Sequence, residues 1–258
     1  MNLYAYASFI AVFLFAAVLV CIEIGRRFGL QRKKQGLEPG KSGTGAVDAA
    51  VFGLLGLLIA FTFSGAASRF DARRMQIVNE ANAIGTAYLR VDLLPADQQP
   101  EMRELFRAYA DERLAIYRAI PDMEKVRSHQ VSAMAQQDKL WKSGVAACAK
   151  APTPAVMSLF VPAMNEMFDL ATLRTAAADL HVPPIVIIML VVIALGCSLL
   201  AGFDMAAAKG RSWMHYLGFA LLIAMVVFVI LDMEYPRLGL IRINSFDQYF
   251  EDARAAMK

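Results

Sequence analysis

Cysteine is scarce in this chain, with three in 258 residues at Cys21, Cys148 and Cys197. Their wide spacing excludes a CxxC redox or metal pair and a disulfide framework, and they read as small core residues. Charge is thin as well: 19% of residues are charged, 26 basic against 23 acidic, for a net charge of +3. The basic residues are dispersed and do not alternate with aromatics on one face, which argues against nucleic acid as a partner. His129, His181 and His215 are isolated from one another. No HExxH pair, nucleophile elbow or EF-hand spacing is present, so no metal, no cofactor and no enzymatic activity are expected. Gly36-Leu-Glu-Pro-Gly40-Lys41-Ser42 looks like a phosphate-binding loop, but three residues separate the glycines where that motif needs four. The loop also lacks the preceding strand and the α/β domain in which such loops work, and it reads as a flexible connector.

What the chain has in abundance is apolar surface. The hydrophobic class makes up 58% of it, and the mean hydropathy is +0.46, above the roughly 45–50% apolar content of soluble domains. The excess sits in four blocks, Leu3 to Ile22, Ala49 to Ala67, Val182 to Phe203 and Ser212 to Leu231, none of which contains Asp, Glu, Lys or Arg. Each is close to the ~20 residues that cross ~30 Å of hydrocarbon. Backbone amides in lipid must be satisfied within their own segment, so these blocks are expected to be helices. The expected fold is all-α, a polytopic membrane protein with four transmembrane helices. The first block has no basic n-region or small-residue cleavage site, and is expected to remain as a span and not to serve as a removable signal.

Arg26, Arg27, Arg32, Lys33, Lys34 and Lys41 lie between blocks one and two, and Lys209 and Arg211 between blocks three and four. The positive-inside rule puts these loops in the cytoplasm and both termini outside. The long segment between blocks two and three would then be extracytoplasmic. Arg69, Arg73, Arg74, Arg237 and Arg242 lie on the opposite side and oppose that bias.

The segment from 69 to 181 has helical periodicity. Phe70, Ile77, Ala81, Ile84, Tyr88 and Val91 continue the second span as a stalk. Met102, Leu105, Phe106, Tyr109, Ile116 and Ile120 mark a second helix, and a third runs from about Asp122 to Lys150. Thr153 is the expected N-cap of a fourth, with Pro154 at its first position and Val156, Phe160, Met164, Met167 and Ala171 as its core stripe. The expectation is an antiparallel helical bundle inserted between spans two and three. The domains are then 1–68, with two spans and a basic loop; 69–181, the bundle; 182–235, with two spans; and 236–258, a short C-terminal tail.

Span two carries the clearest cues. Gly56, Ala60, Ser64 and Ser68 recur every fourth residue, a small-residue face suited to close helix contact in lipid. Asp48, Phe52, Leu55, Ile59 and Thr62 form another face, an acid followed by an apolar stretch and a hydroxyl, which would line a pore if copies surrounded an axis. At the span ends, Arg69 or Arg73 is expected to pair with Asp232 or Glu234.

Several motifs resemble a known family when taken in order. They are Asp48-x4-Gly53-x2-Gly56 through Ala60-Phe-Thr-Phe, Arg69-x3-Arg73, Glu80-Ala-Asn82-Ala, Asn165-x3-Asp169, His181-Val-Pro-Pro184, and Leu231-Asp-Met-Glu-Tyr-Pro236-Arg-x-Gly239-x-Ile241. Their order and spacing resemble the bestrophin-like family of bacterial integral membrane proteins, from about Asp48 onward. The resemblance implies a multi-pass protein of the bacterial inner membrane and a homo-oligomeric ion channel, since bestrophins are chloride-conducting assemblies whose second span lines the pore. The proline-containing neck and calcium-binding acidic cluster of true bestrophins are not recognisable here, and bestrophin termini are cytoplasmic, opposite to the charge-based orientation. Two functions follow. One is an oligomeric channel or transporter for a small inorganic ion, with span two lining the path. The other is a non-conducting scaffold or sensor in the lipid bilayer whose bundle binds a protein partner.

Overall fold

The computed structural model describes residues 3–35, 45–151, 153–207 and 210–258. The glycine-rich motif at 36–42, including Lys41, lies outside the described residues, as does Lys209. Among the described residues there are eight α-helices and no strand. They are α1 Leu3–Lys34, α2 Gly45–Leu89, α3 Gln99–Arg118, α4 Met123–Ala149, α5 Ala155–Asp179, α6 Pro184–Asp204, α7 Trp213–Glu234 and α8 Asp247–Ala255. Four helical runs are long and apolar enough to cross a membrane: Ala7–Lys34, Gly45–Leu93, Ala155–Ala207 and Trp213–Glu234.

The chain divides into two compact units, residues 1–70 with 181–241, and residues 71–180 with 242–258. The first contains α1, the N-terminal part of α2, α6 and α7. Its helices meet through small residues. A Cβ placed on Gly25 would stand 2.0 Å from the Leu199 carbonyl oxygen, and one on Gly202 would stand 2.0 Å from that of Ile22. Only glycine lets the α1 and α6 backbones come that close, the usual device where lipid removes the hydrophobic drive between helices. Leu14, Val18 and Ile22 on α1, Leu190 and Ala194 on α6, and Ala220 and Val227 on α7 are buried along these contacts. The hydroxyls of Thr62 and Ser198 are satisfied within their own helices, on the carbonyls of Leu58 and Ala194, both at 2.6 Å.

The second unit has a core of ordinary soluble type. Phe106 is fully buried and lies edge-on to Tyr88 at 6.0 Å and to Phe160 at 6.3 Å. Phe160, Met164 and Met167 are fully buried along α5, and each such side chain contributes roughly 1.5–3 kcal/mol of transfer free energy. Asp122 caps α4 by accepting from the Lys125 amide at 3.2 Å. The expected Thr153 cap of α5 is replaced by Pro154, which has no side-chain cap bond.

Leu180 to Pro183 is non-helical, so α5 ends before α6 begins and the run Ala155–Ala207 is interrupted between them. Pro183 and Pro184 enforce the break, because the residue before a proline is driven out of the α region. The segment expected as a short tail instead supplies α8, whose Phe250 is buried in the core of the second unit together with Met257. Arg254 fixes α8 to α3 through a two-pronged pair with Asp111 at 2.7 and 2.8 Å.

Candidate functional site

Helix α2 spans 45 residues, about 68 Å at 1.5 Å per residue. It is the least covered of the four candidate spans: 11% of its apolar window is buried in the chain, against 22%, 28% and 33% for the others. Its sides differ sharply. Leu55, Thr62 and Ala66 are buried, while Gly53, Gly56, Leu57, Ala60, Phe61, Ser64 and Ser68 are exposed. These sets lie on opposite sides of the helix, as residues three, four and seven apart share a face.

The five residues read as a pore face fall on the covered side. Leu55 is 4% and Thr62 6% exposed, Asp48, Phe52 and Ile59 are half-buried, and Phe52 lies edge-on to Phe219 of α7 at 6.4 Å. Leu55 and Thr62 are thus covered by their own chain, and Asp48, Phe52 and Ile59 only in part. On the covered side Leu55, Thr62 and Ala66 are buried, while Leu54, Leu57, Phe61 and Phe63 are exposed. The small-residue side, Gly56, Ala60, Ser64 and Ser68, then points away from the chain. A Cβ on Gly53 or Gly56 would meet nothing within 4 Å.

The polar groups at the span ends form a built site. Glu234, with its side chain 3% exposed, accepts from Arg69 Nε at 2.9 Å and Nη2 at 2.6 Å. Its other oxygen accepts from the Val182 amide at 3.3 Å and lies 3.5 Å from His181 Nδ1. The His181 ring rests on Tyr235, with centroids 4.5 Å apart. One carboxylate thus ties together α2, the start of α6 and the end of α7. Asp232 acts on the backbone instead, accepting from the amides of Leu240 at 2.9 Å and Ile241 at 2.7 Å and so folding the chain back after α7. Gly239 is required there, because its Cβ would stand 2.2 Å from the Asp232 carboxylate. Arg73, in the other unit, donates to the carbonyls of Ala177 at 3.0 Å and Leu180 at 2.6 Å, closing the C-terminal end of α5.

The second unit holds a polar centre whose partners the sequence did not reveal. Glu80 is fully buried, with Oε1 2.6 Å from Arg113 Nε and Oε2 2.8 Å from Arg174 Nη1. Arg174 also approaches Asp247 at 3.4 Å and lies 3.5 Å above the Tyr117 ring. Two arginines and two carboxylates balance, as a buried ionic group requires. No group of three or more His, Cys, Asp or Glu among the described residues is placed to hold a metal ion.

The bestrophin-like domain family matches residues 9–245, and the chain belongs to that family. Its fold is similar to that in the crystal structure of a bacterial bestrophin homolog from Klebsiella pneumoniae carrying a point mutation. The TM-score is 0.63, with 14% identity over 95% of this chain and 98% of that one. At that identity the likeness concerns the fold. None of the curated proteins matches the chain.

Proposed function

We propose that the protein is a subunit of a homo-oligomeric ion channel of the bacterial inner membrane, with the uncovered side of α2 facing the path between copies. Membership of the bestrophin-like family supports the channel reading. The observation that carries the placement is the low burial of α2, 11% of its apolar window, on a span with an outward stripe of small residues. In this arrangement Gly56, Ala60 and Ser64 let neighbouring copies approach, and Leu57 and Phe61 beside them supply an apolar constriction that gates by dewetting. The inward face, from Asp48 to Thr62, fixes the rotation of α2 against its own chain. Arg69, His181 and Glu234 hold it where its apolar stretch gives way to charged residues.

Purified protein in a planar bilayer tests this reading. An oligomer of confirmed integrity is expected to conduct, Ser64→Leu to cut single-channel current at least by about half by narrowing the path, and the inward Leu55→Met to leave it unchanged. Absence of conductance in any common salt from that intact oligomer sinks the channel, and a current altered by Leu55→Met but not by Ser64→Leu sinks the placement.

A further inference from the structure

The second unit contains an open groove of about 870 Å³ between α4 and α5, floored by Tyr109 and Arg113 of α3. Helices α4 and α5 are held together at one end, where Gly144 lies against Met164. The groove runs beside residues 130–141 of α4 and 165–179 of α5. Its floor carries an unusual group: the Tyr109 side chain is 1% exposed, and its hydroxyl is buried with no hydrogen-bond partner. A buried hydroxyl left without a partner costs about 1–3 kcal/mol, so it marks a place where a ligand atom would be welcome. Burial pushes the phenol pKa up. It therefore stays protonated and offers both an O–H and a lone pair.

The walls are rich in acceptors. Thr172 and Thr175 spend their hydroxyl protons on the carbonyls of Phe168 at 3.0 Å and Ala171 at 2.9 Å, which leaves their oxygens to accept. Asp138, Asp169 and Asp179 line the groove. Asp138 is engaged by Lys142 at 2.5 Å; Asp169 and Asp179 make no hydrogen bond or ion pair among the described residues. The charge of Arg113 is taken up by Glu80, so the groove is net acidic. Asp169 and Asp179 are ten residues apart along α5, about 15 Å, both lining the groove, and Ala171 and Ala176 supply apolar surface between them. Carboxylates at both ends, acceptor hydroxyls and apolar surface between them and an unpartnered hydroxyl in the floor match an extended chain of methylenes broken by ammonium groups.

We propose that this groove binds a linear aliphatic polyamine, with its terminal ammonium groups on Asp169 and Asp179 and an inner nitrogen against the Tyr109 hydroxyl. The site lies within one unit and is independent of whether the protein conducts. Calorimetric titration of the detergent-purified full chain with spermine tests it. Saturable binding is expected, weakened at least about tenfold in D169N/D179N and about fivefold in Tyr109→Phe. The short diamine putrescine, which cannot reach both carboxylates, is expected to bind at least about tenfold more weakly. Circular dichroism and elution volume establish that each variant is folded. Glu166→Gln removes an acid from α5 that does not line the groove, and is expected to leave affinity unchanged. Absence of saturable binding to the native chain, equal affinity for the diamine, displacement by Mg²⁺ at equal charge concentration, or equal weakening by Glu166→Gln would each overturn the proposal.

Discussion

The two units of this protein are both helical, yet they hold their helices together by different means. In the first, the backbones of α1 and α6 touch at Gly25 and Gly202, and a single shielded carboxylate, Glu234, accepts from Arg69 and Val182 with the His181 ring beside it. In the second, aromatic and methionine side chains fill a core around Phe106, Phe160 and Met164, and the buried charges are paired as a balanced group around Glu80. The contrast follows from solvent. Lipid is as apolar as leucine, so bulky apolar faces gain nothing by meeting there, and small residues with a few polar ties do the joining. Water rewards burial of bulk, and a core can then carry an ionic group at its centre.

Each unit has a tryptophan of its own, Trp213 in the first and Trp141 in the second, so the contrast can be broken one side at a time. The largest effect is expected from Glu80→Ala, which strands Arg113, 7% exposed, and leaves Arg174, 5% exposed, with the more distant Asp247. It should cost about 3–5 kcal/mol. In denaturation read by fluorescence, the Trp141 transition should move while that of Trp213 stays. Gly202→Ala is the mirror experiment. Its methyl group cannot coexist with the Ile22 carbonyl oxygen at 2.0 Å, and separating α1 from α6 should cost about 1–3 kcal/mol, seen at Trp213 and not at Trp141. The smallest expected effect is charge exchange at the clamp. Arg69→Glu and Glu234→Arg should each destabilise, and together recover an interaction energy of about 0.5–3 kcal/mol. Recovery is partial because Glu234 also accepts from the Val182 amide, a bond an arginine cannot make. A double variant no better than the worse single one would remove Arg69 as the partner that matters.

Much of this architecture was legible in the residues because membrane spans announce themselves by composition. Span three starts two residues later than expected, at Pro184, and span four one residue later, at Trp213. Helix α1 runs to Lys34, twelve residues beyond the apolar block, since a charge-free criterion stops at Glu23 while the helix does not. Both faces of α2 were found from spacing, but which one its own chain covers depends on neighbours distant in sequence. Arg69 with Glu234 was one of four pairings open from the sequence, since Arg69, Arg73, Asp232 and Glu234 all fall at the same end of their spans, and it is a pair the structure forms. The Glu80 centre was half visible, as a motif without its partners, because Arg113 and Arg174 come from two other helices. Two missed features did leave signals. Gly25 and Gly29 form a G-x-x-x-G pair at the α1 contact, and Phe246, Phe250, Ala253 and Met257 recur at helical spacing in the segment expected to be a tail.

The central claim is that the side of α2 left uncovered by one chain is the side that copies share around a path. Image averaging of the purified, membrane-extracted protein at a resolution that separates helices tests it most directly. The expected result is a closed ring in which α2 lies nearest the axis, with Ala60 and Ser64 turned inward and Leu55 and Thr62 turned away. A monomer, or a ring in which α2 lies on the lipid-facing rim, would contradict it.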